Sequence, residues 1–268
     1  MTDNDQKWAT LLLGGNHGAR LETSFNRLIP SNPRCKLCAV PFGGLGGTIF
    51  GLFGRHPWKK NPTLCNVCQI YAEKHPGGAE VEIALLFADV RGSTSLAETM
   101  TPTAFKRMLD TFYATASDVL IGHHAWIDKF VGDEVVAFFF PNGFPKRHHA
   151  EVALTAARDL LRVTGGEGLP IGIGVHAGRA YVGTVGGDHV SDVTAVGDDV
   201  NIAARLAAAA EAHTIFVSES AWSAAGVSDD GTESREVELK GKSARLKVRV
   251  LKGEAYPTEL VSQRAVGV

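Results

Sequence analysis

The chain has 268 residues, 44% hydrophobic and 21% charged, with a formal net charge of −2. That composition supplies a real core and excludes a wholly disordered chain, and the length suits one large or two small domains. No apolar run approaches the roughly 20 residues needed to span a bilayer. The acidic start, Met1-Thr2-Asp3-Asn4-Asp5, does not read as a secretory signal, so a cytoplasmic protein is expected.

The first 76 residues carry nine Lys/Arg against four Asp/Glu, while residues 77–268 carry 18 against 25. No acidic residue lies between Glu22 and Glu73, where Arg27, Arg34, Lys36, Arg55, Lys59 and Lys60 are basic. Such a segment meets an anionic partner or docks on the acidic remainder of its own chain; docking is expected, and nucleic acid is not the expected partner. Trp8 through Ile29 is read as an amphipathic segment with a partner to contact. All four cysteines, Cys35, Cys38, Cys65 and Cys68, fall here as two C-x2-C pairs 26 residues apart. Two such turns face four thiolates toward one ion. Zinc fits a closed four-sulfur site; mononuclear iron or an iron–sulfur cluster uses the same ligands. A disulfide framework is not expected without a secretion signal. Phe42-Gly43-Gly44-Leu45-Gly46-Gly47 matches neither a dinucleotide fingerprint nor a Walker loop, and reads as turns of a small metal-held module. Pro76-Gly77-Gly78 marks its end. The expected organisation is therefore 1–76 as a regulatory module, 77–252 as the main domain and 253–268 as a tail.

From Glu80 to Val90 the chain reads as a strand, apolar on both faces near its end, as a central strand should be. Ser95-Leu96-Ala97-Glu98 fits a capping box, and Thr101-Pro102 an N-cap and first helical position. Phe105, Met108, Leu109, Phe112, Ala116, Val119 and Leu120 follow at helical spacing. The predicted hairpin is 126–131 with 134–140 around Gly132-Asp133, with Phe138-Phe139-Phe140 in the core. A helix over 150–163 precedes two strands, 169–177 and 179–185, joined through Gly178. An alanine-rich helix over 198–211, a strand over 214–218 and a closing hairpin over 236–250 complete an α+β order: a mixed sheet with helices packed on it. His123-His124 and His148-His149 read as surface residues.

Asp89 ends a buried strand and Asp133 sits at a hairpin turn, and neither place suits an unpaired carboxylate. A hard divalent cation, such as Mg2+ with a phosphate ligand, would account for both. The stretch 90–95 offers backbone N–H groups at a helix start, which suits a phosphate. Asn201 and Arg205 are four apart on one helix and project together; arginine is well matched to a phosphoryl transition state.

At this point the residues resemble a family. Phe87-Ala88-Asp89-Val90-Arg91-Gly92-Ser93-Thr94, Lys129-Phe130-Val131-Gly132-Asp133-Glu134, Gly172-Ile173-Gly174-Val175-His176-Ala177-Gly178 and 194–206 (Thr194 to Leu206) are similar to four ordered motifs of the class III nucleotidyl cyclases. The resemblance covers about residues 78–252 and leaves the cysteine module outside. It implies a ferredoxin-like, palm-like mixed sheet that converts ATP to 3′,5′-cyclic AMP and pyrophosphate with two Mg2+ or Mn2+ ions. By the same resemblance Asp89, Val90 and Asp133 are the metal-binding set. Lys129 and Thr194 read the base, while Val90, Gly92, Ser93 and Thr94 lie against the substrate. Asn201 orients the ribose, Arg205 stabilises the transition state, and Lys240, or else Lys242, binds the triphosphate. Threonine at 194 is similar to the bicarbonate-responsive adenylyl subgroup. The family builds its sites across a dimer, which implies a homodimer with two shared sites. A non-catalytic cyclase-fold scaffold or sensor and, behind it, a guanylyl or a diguanylate cyclase are the competing expectations.

Overall fold

The computed structural model describes residues 3–13, 25–26, 28–29, 31, 33–35, 37–59, 62, 64–141, 147–187, 191–228, 231–239 and 245–253. Among the described residues of the first 76 lie the helices α1 (Asp3–Leu13), α2 (Gly44–Leu52) and α3 (Asn66–Lys74). Trp8 and Leu12, one helical turn apart on α1, are both buried. The Trp8 indole N–H donates to the His75 carbonyl at 2.8 Å, and Asn4 donates to Pro76 at 3.0 Å. These bonds tie α1 to the stretch where the next domain begins.

The glycine-rich stretch forms a helix instead of the expected turns. A Cβ at Gly46 would lie 2.9 Å from Ile29 and Pro41, and one at Gly47 would lie 2.4 Å from the Phe42 carbonyl oxygen. The glycines therefore let α2 pack tightly inward, while Leu45 and Leu52 point outward at 85% and 84% exposure. The basic residues are partly internal. The Arg34 guanidinium donates to the carbonyls of Asn26, Ile29 and Ala39, so it staples the backbone of the module. The Trp8–Ile29 segment read as amphipathic lies outside the described residues at 14–24.

The remainder is one eight-stranded sheet with β1 (Gly78–Val90) near its centre. β1 pairs antiparallel with β3 (Glu134–Phe139) on one side and β4 (Ile171–Gly186) on the other. β2 (Trp126–Val131) lies outside β3, and β6 (Thr214–Ser218) runs parallel to β4. β8 (Leu246–Lys252) and β7 (Ser234–Val237) follow, while β5 (Ser191–Val196) pairs with the far half of β4. The helices are α4 (Ser93–Thr99), α5 (Pro102–Gly122), α6 (His149–Gly166), α7 (Asp198–Ala209) and α8 (Glu219–Ala224).

Strand periodicity sends alternate residues of β1 into two cores. Ala84, Leu86 and Ala88 meet Phe112 and Leu120 of α5 and Leu160 of α6. Val81, Ile83, Leu85 and Phe87 meet Ala203 and Ala207 of α7 on the other face, where Trp8, Leu64 and Ala72 join the same core. Among the described residues, the module meets the sheet through these apolar contacts.

Three local expectations are corrected. Gly178 does not join two strands: β4 runs straight through it, paired with Ile83 of β1. A Cβ there would lie 2.4 Å from the Asp199 carboxylate, so Gly178 permits a close approach and makes no turn. The helix read as beginning at Ser95 starts at Ser93, and Gly92 at φ +73° is its cap without a side-chain hydrogen bond; the capping box does not form. Of the histidines read as surface residues, His149 is buried, which pushes its pKa down to about 4. The Thr101 cap forms, accepting from the Ala104 N–H at 3.2 Å.

Candidate active site

The end of β1 and the β2–β3 turn bring the two aspartates together. The Val90 N–H donates to the Asp133 carbonyl at 3.1 Å, which sets Asp133 beside the residue that follows Asp89. Gly132 holds the turn at φ +61°, a left-handed conformation that glycine adopts without strain. The Tyr113 hydroxyl of α5 donates to the Gly132 carbonyl, and its ring packs 4.5 Å from that of Phe130. Burial and the neighbouring Asp133 push Asp89 up to about 6, against the opposing pull of Arg91. Glu134 is pushed up to about 7 by burial and by both aspartates. Three carboxyl groups in one partly buried place repel one another, and that repulsion is what a hard divalent cation offsets. The donor set therefore fits Mg2+ or Mn2+.

Arg91 is a neighbour that the motif reading did not assign. Its guanidinium pairs with Asp89 and donates to the Ala208 carbonyl of α7 at 2.9 Å. It links the metal-type carboxylate to the helix that carries Asn201 and Arg205. Both of those residues lie on α7, Asn201 exposed and Arg205 half-buried. No hydrogen bond or ion pair among the described residues links them to Asp89 or Asp133.

The seat of α7 is fixed by β4. A Cβ at Gly174 would lie 2.4 Å from the Ala207 nitrogen and 2.5 Å from the Ala203 carbonyl oxygen, so the helix rests directly on the strand. His176 bridges the two, with Nε2 2.8 Å from Asp199 of α7 and Nδ1 2.8 Å from Ser218 of β6. The Asp199 carboxylate also accepts the Arg179 N–H at 2.9 Å. These contacts explain the glycines and histidine of the third motif as the bed of the helix.

Lys129 and Thr194 are also brought together, by a residue that sequence reading missed. The Thr194 hydroxyl donates to the Asp128 carboxylate at 2.8 Å, and the Lys129 ammonium lies 3.4 Å from the same oxygen. Burial pushes Asp128 up to about 6, opposed by Thr194 and Lys129. Val90, Gly92, Ser93 and Thr94 form the turn from β1 into α4. Lys240 and Lys242, the triphosphate candidates, lie outside the described residues.

The four cysteines form a second centre. All are free thiols, and their sulfurs lie within 4.8 Å of one another. The sulfurs of Cys38 and Cys65 are 3.6 Å apart. Four sulfurs about 2.3 Å from one metal would be roughly 3.8 Å apart, so the cluster is close to a preformed tetrahedral cage. The N–H of Cys65 donates to Cys35 and that of Cys68 to Cys65, both at 3.3 Å, which favours thiolate.

Comparison with known proteins agrees with this geometry. Residues 78–253 match the family model described as the adenylate and guanylate cyclase catalytic domain. An adenylate cyclase of Anabaena cylindrica is 35% identical over 132 residues, covering 46% of this chain and 26% of the relative. The chain spans less than a third of the length of the curated relatives it matches. The solved guanylyl cyclase Cya2 is 28% identical with a TM-score of 0.58, over 67% of this chain and 96% of that one. The adenylyl cyclase CyaB of P. aeruginosa is 27% identical with a TM-score of 0.56, over 66% and 97%. No described helix is long and apolar enough to cross a membrane. By its matching residues and its fold, the chain belongs to the adenylate and guanylate cyclase catalytic domain family.

Proposed function

We propose that the chain is an adenylyl cyclase that makes 3′,5′-cyclic AMP and pyrophosphate from ATP. The observation that carries the choice of base is the meeting of Lys129 and Thr194 on one carboxylate. Adenine accepts at N1 and donates from its 6-amine; Lys129 has only donors, and the threonine oxygen can accept. Guanine reverses both demands, and would suit an acceptor such as Glu at position 129. The likeness to a guanylyl cyclase makes GTP the competing substrate.

In this reading the ribose 3′-oxygen attacks the α-phosphorus, the bond to the bridging oxygen of the β-phosphate breaks, and pyrophosphate leaves. Asp89 and Asp133 would hold two divalent cations, which would supply positive charge to ease loss of the 3′-hydroxyl proton and departure of pyrophosphate. The 3′-hydroxyl proton leaves to a carboxylate or to water. Arg205 donates to the phosphoryl oxygens as charge builds on them, and Asn201 holds the ribose. The 90–94 turn lies against the phosphates, and Lys240 or Lys242 binds the triphosphate end. The chain works as a homodimer whose sites draw the metal carboxylates from one subunit and Lys129, Thr194, Asn201 and Arg205 from the other. The cysteine cluster holds zinc and keeps the module in place as a regulatory element.

The test is cyclic nucleotide production from ATP and from GTP, in Mg2+ and in Mn2+. Cyclic AMP from ATP, lost in both Asp89→Ala and Arg205→Ala, is the expected result; cyclic GMP as the main product overturns the choice of base. Mixing the two inactive variants restores part of the activity if sites are shared, and restores none if each chain works alone.

A further inference from the structure

We propose that Asp128 is a specificity-determining positioning residue, which takes the Thr194 hydroxyl proton and tethers the Lys129 ammonium so that a base meets an oxygen acceptor beside a nitrogen donor. The inference rests on the adenylyl cyclase reading and extends it to a residue outside the motifs.

Three independent features point to Asp128. The first is its place in β2. Ile127 pairs with Ala137 and Lys129 with Val136, so Asp128 is the extra residue of a β-bulge. A bulge re-aims a side chain out of the ladder's alternation, and here the side chain reaches Thr194 on β5. The second is enclosure. The Asp128 side chain is 2% exposed, and its Oδ1 is buried without a hydrogen-bond partner. A buried carboxylate with one oxygen unpartnered is costly, which is poor design for a purely structural contact. The third is shared use of one oxygen. Oδ2 accepts from Thr194 at 2.8 Å and faces the Lys129 ammonium at 3.4 Å.

The chemistry follows from hydrogen-bond direction. A free threonine hydroxyl rotates, so it serves as donor or acceptor and selects no base. Once its proton is committed to a carboxylate, the oxygen presents lone pairs only. It then accepts from the 6-amine of adenine and meets the 6-oxygen of guanine lone pair to lone pair. The same carboxylate oxygen holds the ammonium beside it, where N1 of adenine accepts. Direction, set by Asp128, separates the two purines although Thr194 alone would not.

The test uses the full chain with Asp128→Leu, Thr194→Ala and the double variant, each checked for an unchanged thermal midpoint. Substrates are ATP, GTP and purine riboside triphosphate, which lacks the 6-amine. Binding of 3′-deoxy-ATP and 3′-deoxy-GTP, which cannot cyclise, is titrated in parallel. The wild type is expected to prefer ATP over the amine-free analogue by about tenfold, the worth of one oriented hydrogen bond. Asp128→Leu brings that ratio close to one and raises KM for ATP more than it lowers kcat. Thr194→Ala loses the same ratio, and the double variant loses no more, because both residues act through one hydroxyl. Asp128→Glu, which keeps the acceptor, recovers part of the preference. If Asp128→Leu keeps the wild-type preference for the 6-amine while the wild type makes cyclic AMP, the inference is wrong and the adenylyl reading stands. If the wild type binds and cyclises GTP in preference to ATP, the adenylyl reading and the inference both fall.

Discussion

The cysteine module and the β-sheet differ in how each holds its side chains in place. The sheet buries both faces of β1, with α5 and α6 on one side and α7 on the other. The module has three described helices of 9 to 11 residues, and one of them turns glycines inward and leucines outward. Its interior contains Cys35, Cys65 and Cys68 beside Leu64, Val40 and Trp8, and merges with the sheet's second core. A unit this small holds together through cross-links or a bound metal, whereas the sheet needs neither. The difference predicts that the two regions fail under different insults.

The largest expected effect is on the module. Structural zinc contributes about 10–16 kcal/mol in small metal-bound modules, so Cys35→Ser or a strong chelator should abolish its order. Hydrogen exchange would show residues 33–74 losing protection while β1, β3 and β4 keep theirs. Equal loss in both regions would mean that the sheet leans on the module as heavily as the reverse. Next comes Trp8→Ala. Trp8 is 1% exposed and its indole N–H is bonded to His75, and truncating a buried tryptophan costs about 3–5 kcal/mol. The expected result is undocking of α1, read as faster exchange there and at 75–78, with the fold of the sheet retained.

Gly174→Ala attacks the sheet side. The new methyl meets the α7 backbone, and such overpacking costs about 1–3 kcal/mol. Because α7 carries Asn201 and Arg205, cyclase activity should fall much more than the thermal midpoint. An unchanged rate would mean that the position of α7 is not critical.

The smallest effect is in acid, and it separates the two candidate metal centres. Asp89, at about 6, and Glu134, at about 7, hold protons more tightly folded than unfolded. Without metal, their contribution to stability therefore grows as pH falls from 7 toward 4 and is lost as pH rises through 6 to 7. Cation binding has the opposite sign: Mn2+ affinity at Asp89 should fall about tenfold per pH unit below 6 and flatten above 7. Asp89→Asn should remove most of the Mn2+ slope and about half of the stability slope, the share of Glu134 remaining, measured by Mn2+ titration and thermal melts.

How much of this was legible in the sequence depends on the range of the cause. The β2 strand, the Thr101 cap and the four-cysteine cluster follow from local spacing, and all three appear where spacing puts them. Gly178 was misread because glycine serves both turns and close approaches, and only the position of Asp199 distinguishes them. Asp128 was invisible because a bulge is a property of register between two strands. The apolar part of the module's docking was not legible because both faces of β1 are apolar, and only the fold says which of them the module covers.

The bonds from Trp8 and Asn4 to residues 75 and 76 have a mechanical consequence. The chain enters the sheet at Gly78 and α1 lies back against that same point, with Asp5 accepting from the Gly78 N–H at 3.4 Å. These hydrogen bonds hold α1 against the start of β1 and so close the cysteine module into a loop. A force applied between α1 and the end of β1 loads a few hydrogen bonds and one indole. Pulling from the Cys38 turn instead loads the sulfur cage and leaves the sheet slack, so a force probe at each place would read a different region of the molecule.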